Sequence, residues 1–347
     1  MHDAGVMTAS ADRARLESLG EFITVAHGNG GRLTRELVET VFAHHFGGAL
    51  DINLDAVPLS IPNGEIVVTT DGFIVEPLVF PGGTIGSLAV NGTVNDLAVA
   101  GATPFYLTLS AFIEEGLEIA TLDALIGDAA AAARASGVGL VAGDTKVVRR
   151  GEGGGLYLGM TGVGVRARGV QLAPHHVRSG DRLLVSGTVG DHGAAVLLAR
   201  EQFGLRGQLR SDCASVVPIA QALLAIDGLR FMRDPTRGGL ATVAHDIVRA
   251  SGFGVRLVEA SIPVSEPVSG VCEILGFDPL MLACEGRVLS VVSAQSAKAA
   301  LTAMRDLGCS QAAIVGTVVD EPLVALVTEV GERIVEELEH DPLPRIC

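Results

Sequence analysis

The sequence predicts a two-domain protein of the α/β (α+β) class, and three observations carry that prediction. Short β-branched strands alternate with Ala- and Leu-rich helical stretches in both halves of the chain. The 347 residues exceed one ordinary domain, for which roughly 150 residues is the usual size. A stretch over residues 163–179 that contains Pro174 separates the two alternating series.

In chain order, residues 1–20 are polar and read as a loose N-terminal arm. Residues 33–46, after Asn29-Gly30-Gly31, read as a helix, and 66–69 as a strand that stops at Asp71-Gly72. Residues 84–100 have helical spacing: Ile85, Leu88, Ala89 and Gly92 form one stripe, which Asp96 continues. Pro104 bars further helix, and 105–112 reads as a strand. Thr121 is placed to cap a helix that ends at Gly137. Residues 138–142 then form a strand delivering Gly143-Asp144-Thr145-Lys146, and 156–165 form another. The second unit begins near Gly180 with a strand at 183–186 and a loop at 187–193 before a helix. The segment 232–239 precedes a helix with Leu240, Val243, Ala244, Ile247 and Val248 on one face. Strands at 288–292 and 312–318 flank a helix near 297–307. The expected domains are 21–165 and 180–327, followed by a C-terminal tail, 328–347.

Composition excludes several function classes. Lys and Arg number 25 against 40 Asp and Glu, a net charge of −15. Such a chain repels nucleic acid and anionic membranes, so neither is an expected partner. Mean hydropathy is +0.43, yet the longest uncharged runs, 77–95 and 97–113, are broken by Pro and Gly and are no membrane spans. The first residues contain no apolar core of a signal peptide. Five cysteines without a CxxC pair fit free thiols in a reducing compartment, and a cytoplasmic location is expected.

No P-loop, GxSxG elbow, HExxH or kinase signature is present. The His44-His45 and His175-His176 pairs lack metal-cage spacing. What stands out is a series of aspartates beside glycines: Asp71 in TTDGF, Asp96 in NGTVNDLAV, Asp144 in AGDTK, Asp191 in TVGDHG and Asp234 in RDPTRGG. Mg²⁺ binds through a few carboxylates plus substrate phosphates. Clustered acids with glycine amides and Lys146 therefore fit a Mg–nucleotide site without a P-loop. Any single Asp could equally cap a helix or close a turn; Asp71, Asp96 and Asp144 together favour ligation.

The chain ends in DPLPRIC. Pro342 and Pro344 favour extended backbone, and six extended residues span roughly 20 Å. That is enough to carry the Cys347 thiol between a cleft and solvent, the alternative being a frayed end. Cys213, Cys272, Cys284 and Cys309 lie in apolar contexts and read as inert core.

Taken together, AHGNGG, TTDGF, NGTVNDLAVAGATP, GLVAGDTKVV, MRDPTRGGLA and the terminal PRIC resemble the HypE family of hydrogenase maturation proteins. That family lies within the aminoimidazole ribonucleotide synthetase (PurM-like) superfamily. The middle motifs are shared across the superfamily, and the terminal PRIC is specific to the family. The resemblance implies an N-terminal PurM-like domain that dimerises through its sheet, a C-terminal PurM-like domain, and ATP between them. It implies that the carbamoyltransferase HypF loads a carbamoyl group on Cys347. ATP then activates the carboxamide oxygen, and a thiocyanate results. The cyano group passes to iron on the carriers HypC and HypD, for [NiFe]-hydrogenase. By the same resemblance, Mg²⁺ and ATP fall to Asp71, Asp96 and Asp144, with Asn95 and Asp234 also at the nucleotide. Lys146 and Glu285, in ACEGR, match positions for charge and proton handling. The departure is the extended arm before Glu21. Two alternatives stand beside this reading: another ATP-using PurM-like enzyme, or a non-catalytic thiol carrier. Selenophosphate synthetases need an N-terminal Cys or selenocysteine, and no Cys precedes Cys213.

Overall fold

A computed structural model describes residues 14–47, 56–200, 207–339, 343 and 346. The N-terminal domain contains β1 (Glu65–Phe73), α1 (Ile85–Val99), β2 (Ala102–Glu114), α2 (Ile119–Ala135), β3 (Gly139–Val148) and β4 (Leu156–Arg166). The strands form a sheet in the order β1-β4-β2-β3. β4 is antiparallel to both neighbours, while β2 and β3 are parallel and joined by the α2 crossover. Thr84 caps α1, accepting from the Ser87 amide at 3.3 Å.

Helix α1 is buried almost all round, because it is wedged between the sheet, α2 and the second domain. A Cβ on Gly86 would lie 2.0 Å from the Leu125 carbonyl oxygen, so α1 and α2 approach each other through that glycine. The other face of the sheet is bare and partly apolar: Ile66 and Val68 are each 60% exposed, and Phe112 44%.

The C-terminal domain contains β5 (Arg182–Val185), α3 (Asp191–Ala199), α4 (Val217–Leu224), β6 (Leu229–Arg233), α5 (Gly239–Ser251), β7 (Gly254–Val258) and α6 (Glu266–Leu275). It continues with β8 (Leu289–Val292), α7 (Ala297–Asp306), β9 (Ala313–Val319), β10 (Val324–Thr328) and β11 (Gly331–Ile334). Its seven-stranded sheet runs β11-β10-β7-β9-β5-β8-β6. The predicted apolar stripe of α5 is buried at Leu240, Val243, Ala244 and Ile247. Among the described residues, no helix is long and apolar enough to cross a membrane.

Several expected boundaries move. β1 runs through Asp71-Gly72, and β3 contains Asp144 and Lys146 within its length. Both follow from ladder pairing, with Asp71 opposite Met160, Asp144 beside Ser110 and Lys146 beside Phe112. Cross-strand partners override the turn signal of Asp-Gly. Pro104 lies inside β2, tolerated where the register with β4 shifts. Glu118 takes the N-cap position of α2 without a side-chain cap, leaving Thr121 in the first turn, where its hydroxyl donates to Glu118 Oε2 at 3.3 Å. The helix expected over 33–46 is α-helical at Arg32–Leu37, a π-helix at Val38–Ala43 and α-helical again at His44–Phe46.

The ends of the chain also differ. Of the arm expected as loose, residues 1–13 lie outside the described residues; Arg15 is tied to Asp123 by contacts of 2.9 and 2.7 Å. The segment expected as tail first completes the second sheet, since β11 pairs with β10 and the Val335 amide donates to Val324 O at 2.9 Å.

Candidate active site

Four carboxylates meet at the seam between the domains. Asp96 projects from α1 and accepts a hydrogen bond from Thr69 Oγ1 of β1 at 2.7 Å. Asp71 lies two residues further along β1, on the same helix-covered face as Thr69. Asp234 follows the end of β6, and Glu285 lies on the loop before β8; both side chains are buried.

The surroundings raise Asp96, Asp234 and Glu285 together. Burial raises Asp96 above the ordinary carboxylate range, and the Asp71 charge adds to that against the Thr69 hydrogen bond. Burial raises Asp234 as well, reinforced by Asp96. Glu285 is pushed well above its ordinary value, first by burial, then by the charges of Asp234, Asp212, Asp71 and Asp96. Its Oε1 is buried without a hydrogen-bond partner.

The backbone that presents Glu285 is fixed from several sides. Its amide donates to Asp212 Oδ1 at 3.0 Å, and its carbonyl accepts from Asn95 Nδ2 at 3.2 Å. Asn95 also donates to Ala214 O at 3.0 Å and accepts from the Val216 amide at 2.8 Å. The Asn95 amide is thus occupied in holding α1 to segment 211–216. Gly92, one turn earlier on α1, lets the Phe73 ring pack against the helix: a Cβ there would lie 2.8 Å from Phe73 Cε1.

Segment 211–216 connects this acid cluster to the end of the chain. Asp212 meets the Glu285 amide, and Ser211 Oγ lies 2.8 Å from His192 Nδ1. His192 Nε2 lies 2.7 Å from Ile346 O, and both Leu343 and Ile346 are buried. Cys347, the next residue, lies outside the described residues, as do Pro342 and Pro344. Cys213, expected as inert core, is half-buried beside Asn91, and burial pushes its thiol up to about 12.

Asp144 and Lys146 are elsewhere. They lie on the opposite edge strand from Asp71, and alternation aims them at the exposed face, beside Ser110 and Phe112. There Lys146 Nζ donates to Asp144 Oδ2 at 2.5 Å, and both side chains are more than half exposed. Asp71, Asp96, Asp234 and Glu285 therefore form one group, and Asp144 with Lys146 another, within a single chain. Sequence reading did not find Ser211, Asp212 or His192 as parts of the site. GDHG carried a motif-like signal at Asp191, which the structure ties to Thr188, Ser265 and Arg287. Nothing in the local pattern marks a histidine that meets the tail 154 residues later.

Among the described residues, no three metal-ligating side chains are gathered into a ready-made cage. The donor set nevertheless suits a hard cation: all are carboxylate oxygens, crowded enough to repel, with one buried oxygen unpartnered. Mg²⁺ commonly completes its shell with water and substrate phosphate.

Two α/β domains with an acid cluster on their seam and no P-loop define the class of AIR synthase related proteins. The N-terminal domain model of that class matches residues 54–166, and the C-terminal domain model matches 178–329. The chain is 43% identical to carbamoyl dehydratase HypE of Azotobacter vinelandii across 96% of its own length and all of that protein. It superposes on hydrogenase maturation protein HypE solved in complex with ATP with a TM-score of 0.89 and 37% identity, covering 93% of this chain and 99% of that one. A HypE solved in complex with HypF gives a TM-score of 0.76 and 42% identity, over 79% of this chain and 90% of that one. The chain belongs to the HypE carbamoyl dehydratase family.

Proposed function

We propose that this chain uses ATP to dehydrate a carbamoyl group carried on its own Cys347 thiol, yielding a thiocyanate as the source of cyanide for [NiFe]-hydrogenase iron. The observation that carries this reading is the seating of Ile346, the residue before Cys347, on His192. Through Ser211 and Asp212, that contact joins the segment that also anchors Glu285. That linkage supports a substrate carried at the chain end and acted on by the acid cluster.

The chemistry follows from the leaving group. The carboxamide oxygen attacks the terminal phosphorus of ATP; an O–P bond forms, the bridging P–O bond breaks, and ADP departs. The two nitrogen protons then leave as the C≡N bond completes and the C–O bond breaks, releasing phosphate. Glu285 is suited to take a nitrogen proton. Burial and the neighbouring carboxylates raise its proton affinity, so its ionised form is a stronger base than an ordinary carboxylate. Asp71, Asp96 and Asp234 would hold Mg²⁺, which neutralises phosphate charge in such transfers.

Asp144 and Lys146 enter this scheme across a dimer. Their position on the bare sheet face, with exposed Ile66, Val68 and Phe112 on the same sheet, supports pairing with a second copy. In that arrangement the Lys146 ammonium and Asp144 carboxylate of one copy serve the acid cluster of the other. A carbamoyltransferase of the HypF type supplies the carbamoyl group, in keeping with the solved HypE–HypF complex, and HypC and HypD are proposed as the iron-bearing recipients. The test is ATP hydrolysis measured with and without carbamoyl on Cys347. The reading expects hydrolysis only in the loaded protein; equal rates in both would remove it, and a pure thiol carrier would hydrolyse in neither.

A further inference from the structure

His192 is the one fully buried histidine of the C-terminal domain's described residues, and nothing in the acid chemistry requires it. It sits in the first turn of α3, whose start is held rigid. The adjacent Asp191 accepts from Thr188 Oγ1, from Ser265 Oγ at 2.9 Å and from Arg287 Nη2 at 3.3 Å. The imidazole is further fixed by Phe80, ring edge to face with centroids 5.3 Å apart. Its rotamer is therefore set by the body of the protein and not by the tail.

The hydrogen bonds have a definite direction. A main-chain carbonyl only accepts, so the 2.7 Å contact to Ile346 O requires the proton on Nε2. Nδ1 then carries a lone pair, and the Ser211 hydroxyl, 2.8 Å away, donates into it. The Ser211 oxygen in turn accepts from the Cys213 amide at 3.0 Å. Burial lowers the imidazole to about 4, which keeps this neutral tautomer in place at physiological pH. The chain of donors runs from segment 211–213 through the ring to the tail and ends on the carbonyl immediately before Cys347.

We propose that His192 is a positioning residue that docks the C-terminal tail, gripping the Ile346 carbonyl so that Cys347 is registered for its reaction. The grip is on main chain, one residue from the thiol, so it fixes register regardless of side-chain identity at position 346. Leu343 and Ile346 supply apolar burial in the same core as Ala194, Ala195 and Val268, but burial alone tolerates sliding. A directional bond does not. The inference rests on Cys347 being the substrate-bearing residue, as proposed above.

The test uses the full chain and three readouts. His192→Ala should raise the rate at which iodoacetamide alkylates Cys347, located by peptide mass, by about fivefold, the worth of one typical net hydrogen bond. Single-turnover dehydration of carbamoylated protein should slow by a similar factor, with ATP affinity and carbamoyl loading unchanged. His192→Gln, which retains a donor for the carbonyl and an acceptor for Ser211, should restore both rates. A folded His192→Ala variant with wild-type alkylation and dehydration rates would overturn the proposal. If that variant does not fold, removal of residues 346 and 347 from the wild type provides the second measurement. It should shift the His192 ring resonances and speed exchange of its Nε2 proton, and unchanged resonances would equally refute the dock. Alkylation needs no carbamoyl chemistry. Tail release without any dehydration in the wild type would therefore refute the proposed function and leave the dock standing.

Discussion

Glu285 and Asp234 are buried close enough to other carboxylates for their charges to repel. Burial and mutual repulsion raise both carboxyls, so the native state binds protons that the unfolded chain would release. Stability from these groups is therefore present at acid pH and lost as pH rises toward neutrality. Glu285→Gln or Asp234→Asn should raise the melting temperature at pH 7.5 by about 2–4 °C, the usual yield of 1 kcal/mol in a domain of this size. Both should sharply impair turnover, and scanning calorimetry beside a dehydration assay checks the pairing. Mg²⁺ with ATP should likewise stabilise the wild type more at pH 7.5 than at pH 5, where protons compete for the same oxygens. His192 has the opposite sign. Its folded value of about 4 lies below the ordinary 6.5, so its contribution is whole above 6.5 and lost as pH falls toward 4, a span worth about 3 kcal/mol. His192→Gln should flatten that acid limb of the stability curve. At this scale the sequence was partly readable. Aspartates beside glycines pointed to Asp71, Asp96 and Asp234 but equally to Asp144, which lies elsewhere, and Glu285 came only from the family resemblance. Ser211 and Asp212 carried no pattern, because their role is fixed by main-chain partners that only folding supplies.

Among the elements, α1 does the most to build the site. It bears Asp96 toward the acids and Asn95 toward segment 211–216, and its Gly92 packs against the Phe73 ring. Its depth depends on Gly86, where a Cβ would stand 2.0 Å from a backbone oxygen that cannot yield as a side chain does. Gly86→Ala should therefore destabilise the fold by about 1–3 kcal/mol through overpacking, seen as a lower urea midpoint with unchanged slope. The helix itself was legible from its apolar spacing. The strands were legible in existence but not in extent. Asp71-Gly72 reads as a stop and Gly143-Asp144 as a loop, yet both lie within ladders whose partners are far away in sequence. That difference matters for function, since strand alternation is what sends Asp71 and Asp144 to opposite faces.

For the whole molecule, the separation of Lys146 from Glu285 is the feature that asks for a second copy. Lys146→Ala and Glu285→Ala should each abolish dehydration alone. When the two variants are mixed and allowed to exchange subunits, activity should return, because a mixed dimer holds one site with both groups intact. Sites completed within one chain would give no recovery. Two domains were visible in the sequence, and a site between them followed only from the family resemblance. The placement of Asp71 and Lys146 on opposite faces of the first sheet was not visible, since it depends on a register that no local spacing encodes.

The central claim is that Cys347 carries the group this fold dehydrates. The direct measurement is the intact mass of protein first carbamoylated and then given Mg²⁺ and ATP, with the modified residue located by fragmentation. The account predicts that the carbamoyl adduct on Cys347 loses the mass of one water, and only when ATP is present. A carbamoyl group that persists on Cys347 while ATP is consumed, or a cyano adduct on Cys213, Cys272, Cys284 or Cys309 instead, would contradict it.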